Sequence, residues 1–161
     1  MDAQPAGATS APQRVLLVGS SGGHLAQLLA LRPWWSGSER AWVTFDTPDA
    51  RSSLEEEPVT WAFFPTTRNV PNLLRNARQA RHVLRDFKPD VIVSSGAGVA
   101  LPYFVLGRLR GRLTVFVEVY DRVETPTLTG RLCRPFTKLM LVQWPEQVRL
   151  YRGSHVVGPL L

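Results

Sequence analysis

The sequence predicts an α/β fold built on a parallel sheet. Three observations carry that prediction. Short β-branched or aromatic runs alternate with helical stretches along the chain. Glycine-rich turns directly follow the first and the fourth of those runs. The 161 residues, 44% hydrophobic and 20% charged, have the composition of one globular domain.

The elements follow in order. Residues 1–13 are small and polar and read as a disordered tail. Arg14–Val18 is a strand, and a helix runs from about His24 to Leu31. Arg40–Phe45 is the second strand, with a short helix after Pro48, and Val59–Phe64 is the third. A longer helix spans about Pro71 to Phe87, where Leu73, Ala77, Ala80, Leu84 and Phe87 fall within about 40° of one line at 100° per residue. Val91–Ser94 is the fourth strand, Pro102–Leu109 a helix and Leu113–Glu118 the fifth strand. A helix over about Leu128–Phe136, a strand Lys138–Val142, a helical turn from Pro145 and a short strand His155–Val157 complete the chain. Ligands of such sheets bind outside the carboxyl ends of the strands, so the loops after the strands are the ones to inspect.

Composition excludes several classes. No apolar run approaches the roughly 18 residues of a spanning helix, and the N-terminal residues show no apolar secretory core. The lone Cys133 excludes an intramolecular disulfide and fits a reducing compartment. The net charge of +6 is concentrated: residues 66–112 hold nine Lys/Arg against two acids, and the rest of the body is balanced. Lys88, Arg81, Arg85, Arg78, His82 and Arg75 fill one arc of the long helix. Such a face suits anionic lipid or nucleic acid, or is simply solvated. The next helix, with Leu101, Tyr103, Phe104, Val105, Leu106 and Leu109, is apolar nearly all round; it is either core or a surface that dips into a bilayer.

Three loops can carry chemistry. Gly19-Ser20-Ser21-Gly22-Gly23-His24 opens the first helix, where glycines admit an anion to free N–H groups. His24 at that positive end is a candidate general base, or a residue that merely packs the turn. Ser94-Ser95-Gly96-Ala97-Gly98 offers a second such loop, or an ordinary connection. Glu118-Val119-Tyr120-Asp121-Arg122 clusters ionisable groups at the end of strand five. They suit orienting a sugar hydroxyl or accepting a proton, or pair with one another.

The segments VLLVGSSGGHLAQLLAL, WVTFDTPD, PTTRNVPNLLRN, VSSGAGVALP, EVYDR…TLTGRL and LVQWPEQVRLY…VVGPL resemble the PssD/EpsE family of bacterial polysaccharide-biosynthesis proteins. That family is similar to the membrane-recruiting subunit of the eukaryotic two-part transferase acting on dolichol-diphosphate GlcNAc. It is more distantly like the acceptor domain of MurG. The resemblance covers residues 14–161 and implies a Rossmann-like parallel sheet with helices on both faces, the N-terminal acceptor half of a GT-B glycosyltransferase.

It implies an inverting, metal-independent transfer with no cofactor, from a UDP-sugar held by a separate donor-binding C-terminal half. The acceptor is a polyprenyl-diphosphate-linked sugar in exopolysaccharide or capsule assembly, met at the cytoplasmic face of the plasma membrane. Gly19, Ser20, Ser21, Gly22, Gly23, Ser95, Gly96, Ala97 and Gly98 would hold the diphosphate. His24 and Glu118 would be catalytic, Tyr120, Asp121 and Arg122 would meet the acceptor sugar, and Arg75, Arg78, Arg81, Arg85, Phe104 and Arg108 would face the membrane. The family pattern is broken at Ser20-Ser21, where MurG has threonine then glycine. Two rival functions remain: a nucleotide- or NAD-binding domain with Asp46 on the ribose, and a basic nucleic-acid-binding protein, for which no recognition motif is present.

Overall fold

The computed structural model describes residues 13–161; the expectation for the N-terminal tail lies, Gln13 apart, outside the described residues. Seven strands form one parallel sheet: β1 (Arg14–Val18), β2 (Glu39–Phe45), β3 (Val59–Ala62), β4 (Val91–Ser94), β5 (Leu113–Val117), β6 (Leu139–Val142) and β7 (His155–Val156). Their order is β3-β2-β1-β4-β5-β6-β7. Register is tight at the centre, with Val15 to Val18 of β1 paired to Val91 to Ser94 of β4.

Strand alternation divides the core into two layers. Val15 and Leu17 point to one face with Leu25, Leu28, Trp35 and Leu54. That face is covered by α1 (Gly23–Ala30), α2 (Arg32–Trp35) and α3 (Pro48–Ser53). Leu16 and Val18 point to the other with Leu84, Tyr103, Phe104 and Cys133, under α4 (Val70–Phe87), α5 (Ala100–Leu109) and α6 (Leu128–Cys133). Burial on both faces explains why the strands read as continuous apolar runs. The sheet is thus Rossmann-like with helices on both sides.

Most element boundaries fall within two residues of expectation. The sequence pattern missed α2, whose Pro33 stands at its start and whose Trp35 donates from Nε1 to the Leu28 carbonyl at 2.9 Å. The segment after α6 is a 3-10 turn over Arg134–Phe136, because Pro135 removes a donor there.

One expectation needs correction. Phe104 is fully buried, its ring edge-on to Phe116 at 5.9 Å, and takes no part in any surface. α5 lies between α4 and α6 and over the sheet, so most of its apolar circumference is covered by protein. Leu109 at its end is the large apolar residue of α5 left exposed.

Docking of α4 also differs from a plain apolar stripe. Asn72 and Asn76 are buried in it. Asn76 accepts from the Phe63 N–H and donates to the Phe63 carbonyl, both at 2.9 Å, and Asn72 donates to the Pro65 carbonyl. The two amides tie the loop after β3 onto the helix. That satisfies backbone groups which no strand partner reaches.

Candidate functional site

Strand order reverses between β1 and β4, since successive connections leave them toward opposite edges of the sheet. The crevice outside the carboxyl ends of these two strands is where doubly wound folds place their ligands. Both glycine loops lie there, one after β1 and the other after β4.

The helices that follow them share a property. α4 and α6 are capped by side chains: Asn69 accepts from the Asn72 N–H at 2.9 Å and Thr127 from the Gly130 N–H at 3.0 Å. No side chain caps α1 or α5. The Ala100 N–H at the start of α5 donates to the Ala97 carbonyl at 3.0 Å. The other first-turn N–H groups of the two helices have no intrahelical acceptor, with the positive ends of two helix dipoles behind them.

His24 stands between the loops. Its Nδ1 is 2.8 Å from the Ser95 carbonyl oxygen, and the Ser95 hydroxyl donates back to the His24 carbonyl at 2.9 Å. A carbonyl can only accept, so Nδ1 carries the hydrogen and Nε2 holds the free lone pair. Burial lowers the His24 pKa; the Ser95 carbonyl and the charges of Glu118 and Asp121 oppose that shift without overcoming it. The neutral ring is favoured.

Close approach explains Gly96. Its φ is 125°, and an added Cβ would sit 2.8 Å from the His24 ring. Gly98 has a similar constraint: a Cβ would meet Thr66 at 2.9 Å. Within the second loop, the Gly96 N–H is taken by the Ser94 hydroxyl at 3.0 Å, and Ser95 spends its own hydroxyl on α1. In the first loop, the Gly22 N–H meets the Asp49 carboxylate at 3.0 Å. The Ser94 and Ser95 hydroxyls are thus engaged within the fold, and the Ser20 hydroxyl makes a long 3.4 Å contact to the Ser21 carbonyl.

Glu118 is buried and densely bonded. Its carboxylate accepts from the Val119 N–H and the Thr127 hydroxyl, each at 3.0 Å, and from the Tyr151 phenol. A carboxylate so enclosed acts on the crevice through its field. Tyr120, Asp121 and Arg122 are exposed on the loop beyond it. That loop is fixed from below by Gln147, whose Nε2 donates to the Val119 and Arg122 carbonyls. Buried Gln143 links the Glu118 carbonyl to Gln27 of α1. These glutamines, with Thr127 and Tyr151, are positioning residues; the family-like segments contain them but give them no role, because buried polar networks are visible only once their partners are placed.

Beside the second loop opens a cavity of about 780 Å³, lined by Thr66, Val70, Leu73, Gly98, Leu128 and Leu132 among others. Val70 and Leu128 are 63% and 67% exposed at its rim. Arg75, Arg78, Arg81 and Arg85 are exposed along α4, and Arg108 at the end of α5. Among the described residues, no helix is long and apolar enough to cross a membrane. Asp46, the ribose candidate, is engaged by Arg51 at 2.5 and 2.7 Å.

The sequence pattern described as "Oligosaccharide biosynthesis protein Alg14 like" matches residues 56–160. The chain belongs to the Alg14-like family. Among curated relatives, the mouse UDP-N-acetylglucosamine transferase subunit ALG14 is 28% identical over 92% of this chain and 83% of its own length. A Clostridium kluyveri UDP-N-acetylglucosamine--N-acetylmuramyl-(pentapeptide) pyrophosphoryl-undecaprenol N-acetylglucosamine transferase is 25% identical over 89% of this chain, but only 43% of its own length aligns.

Among solved structures, MurG from Acinetobacter baumannii superposes with a TM-score of 0.74 at 18% identity, over 91% of this chain and 46% of MurG. The UDP-GlcNAc 2-epimerase of Methanocaldococcus jannaschii gives 0.65 at 11%, over 84% and 41%. The Alg14-like chain thus has the fold of one half of a GT-B protein and spans less than half of these larger chains.

Proposed function

We propose that this Alg14-like chain is the acceptor-binding, membrane-recruiting subunit of a two-component inverting UDP-sugar transferase. Its acceptor is a polyprenyl-diphosphate-linked sugar of exopolysaccharide or capsule assembly, and residues 14–161 form one acceptor-side domain. The observation that carries this reading is the pair of uncapped helix starts converging on His24 at the switch point. The family, and the relatives' printed activities, support the same reaction class.

In this reading the diphosphate lies against the starts of α1 and α5, beside the two glycine loops, held by backbone N–H groups of those first turns. The polyprenyl chain leaves along the apolar cavity that begins at Gly98. The acceptor hydroxyl then attacks the anomeric carbon of a UDP-sugar held by the separate donor-binding half. One C–O bond forms as the bond to UDP breaks, and the proton passes to Nε2 of His24. Glu118 and Asp121 stabilise the resulting imidazolium by their charge. Tyr120, Asp121 and Arg122 border the acceptor sugar. Attachment to the cytoplasmic face of the membrane uses Arg75, Arg78, Arg81, Arg85 and Arg108, with Val70 and Leu74 supplying the apolar contact first sought at Phe104.

The test is reconstitution. This chain alone should transfer no sugar to a polyprenyl-diphosphate acceptor, and adding the donor-binding half should restore turnover. Transfer by the chain alone would end the two-component reading.

A further inference from the structure

The α4 helix carries a second feature at the end away from the crevice. A cavity of about 340 Å³ is lined by Arg81, Leu84, Arg85, Lys88, Arg110 and Arg112. Lys88 precedes β4, and Arg110 and Arg112 precede β5, so the cavity lies at the amino ends of the strands, opposite the glycine loops. Five cations line it and no carboxylate does. Asp86 is drawn to Arg85 at 2.7 Å, and Asp90 accepts from the Arg14 N–H at 3.0 Å.

Helix C-termini attract cations, but that accounts for only one or two charges in a last turn. Arg81 stands nearly two turns before the end of α4, and Arg112 lies beyond α5 altogether. Among the described residues, the buried Nε of Arg112 has no hydrogen-bond partner, and the Arg110 guanidinium reaches the Leu106 carbonyl alone, at 3.4 Å. Five cations around one hollow, four of them outside any ion pair among the described residues and one with an unanswered donor, call for an anion with several acceptor oxygens.

We propose that this cavity seats the phosphate group of an anionic lipid headgroup; the inference rests on the membrane-facing reading of α4. The arrangement of α4 selects lipid over a soluble phosphate. At 100° per residue, Val70, Leu74, Arg78, Arg81, Arg85 and Lys88 share an arc of about 80°. Val70 and Leu74, 63% and 65% exposed, occupy its crevice end, and the cations occupy the other. A single surface about 27 Å long thus offers apolar contact at one end and phosphate contact at the other. A lipid surface matches both ends, whereas a soluble phosphate matches one.

The full chain is titrated with phosphatidylglycerol vesicles and, separately, with phosphatidylcholine vesicles, and compared with the Lys88→Gln/Arg110→Gln variant. Both side chains are exposed, and an unchanged melting temperature verifies the fold. Binding to phosphatidylglycerol should weaken about thirty-fold, roughly five-fold per cation, with no change toward phosphatidylcholine. Equal binding of phosphatidylglycerol by both proteins overturns the seat. If millimolar inorganic phosphate raises the melting temperature of the wild type alone while vesicle binding is equal, the cavity takes soluble phosphate and the lipid assignment is overturned. Failure of the wild type to bind any vesicle would instead strike the membrane-recruiting reading itself.

Discussion

The imidazole of His24 donates from Nδ1 to the Ser95 carbonyl, which leaves Nε2 as the atom able to take a proton. Burial lowers its pKa from the ordinary 6.5, so the ring is neutral at pH 7. With the donor half present, kcat/KM should fall in acid through an apparent pKa below 6.5. His24→Ala should lose about 100-fold or more in kcat and lose that acid limb; a variant retaining both would remove His24 as the base. The same shift affects folding. Because the folded ring binds a proton less readily than the unfolded one, its contribution to stability is complete above pH 6.5 and is lost as pH falls below it. Gly96 tests the geometry independently of chemistry. Gly96→Ala forces a side chain into φ 125° and against the imidazole, and should cost about 1–3 kcal/mol in urea unfolding while reducing turnover. Unaltered stability would mean that the loop has room to move away from His24.

At the scale of elements, α4 and α5 separate what a helical pattern can tell from what it cannot. The pattern located both helices, because periodicity and punctuating prolines are local properties. It could not say which sides of α5 were covered, since that depends on α4 and α6 lying on either flank; hence Phe104 was expected at the surface and is in the core. Asn72 and Asn76 went unnoticed for the same reason: an amide is recognisable as core only beside the backbone it satisfies. In the proposed function the apolar contact with lipid falls instead on the first turns of α4 and on α6, around the cavity at Gly98. Val70→Gln/Leu74→Gln should raise KM for a long-chain polyprenyl-diphosphate acceptor about ten-fold, the effect of losing a little less than one fully buried aliphatic side chain. The kinetics of a short-chain, water-soluble acceptor should not change. Equal losses for both acceptors would place these residues outside the lipid path.

For the molecule as a whole, the strand order is decisive. The two glycine loops are more than 70 residues apart in sequence, and each alone reads as an ordinary strand-to-helix turn. The motifs indicated their chemistry, and a parallel sheet placed both at one edge. Only the reversal between β1 and β4 makes them neighbours with His24 between them. In the proposed reading this half takes the acceptor and a partner takes the donor, so the two ligands should differ in their effect on the isolated chain. Binding that favours the folded state stabilises it by RT ln(1 + [L]/Kd), about 2.7 kcal/mol at a ligand concentration 100 times Kd. For a domain of this size, that corresponds to a rise in melting temperature of about 5–10 °C. A short-chain polyprenyl-diphosphate sugar should produce that rise in the chain alone, and Gly96→Ala should diminish it. UDP-GlcNAc should leave the melting temperature unchanged until the donor-binding half is added. A rise with UDP-GlcNAc alone would reverse the assignment and make this half the donor side.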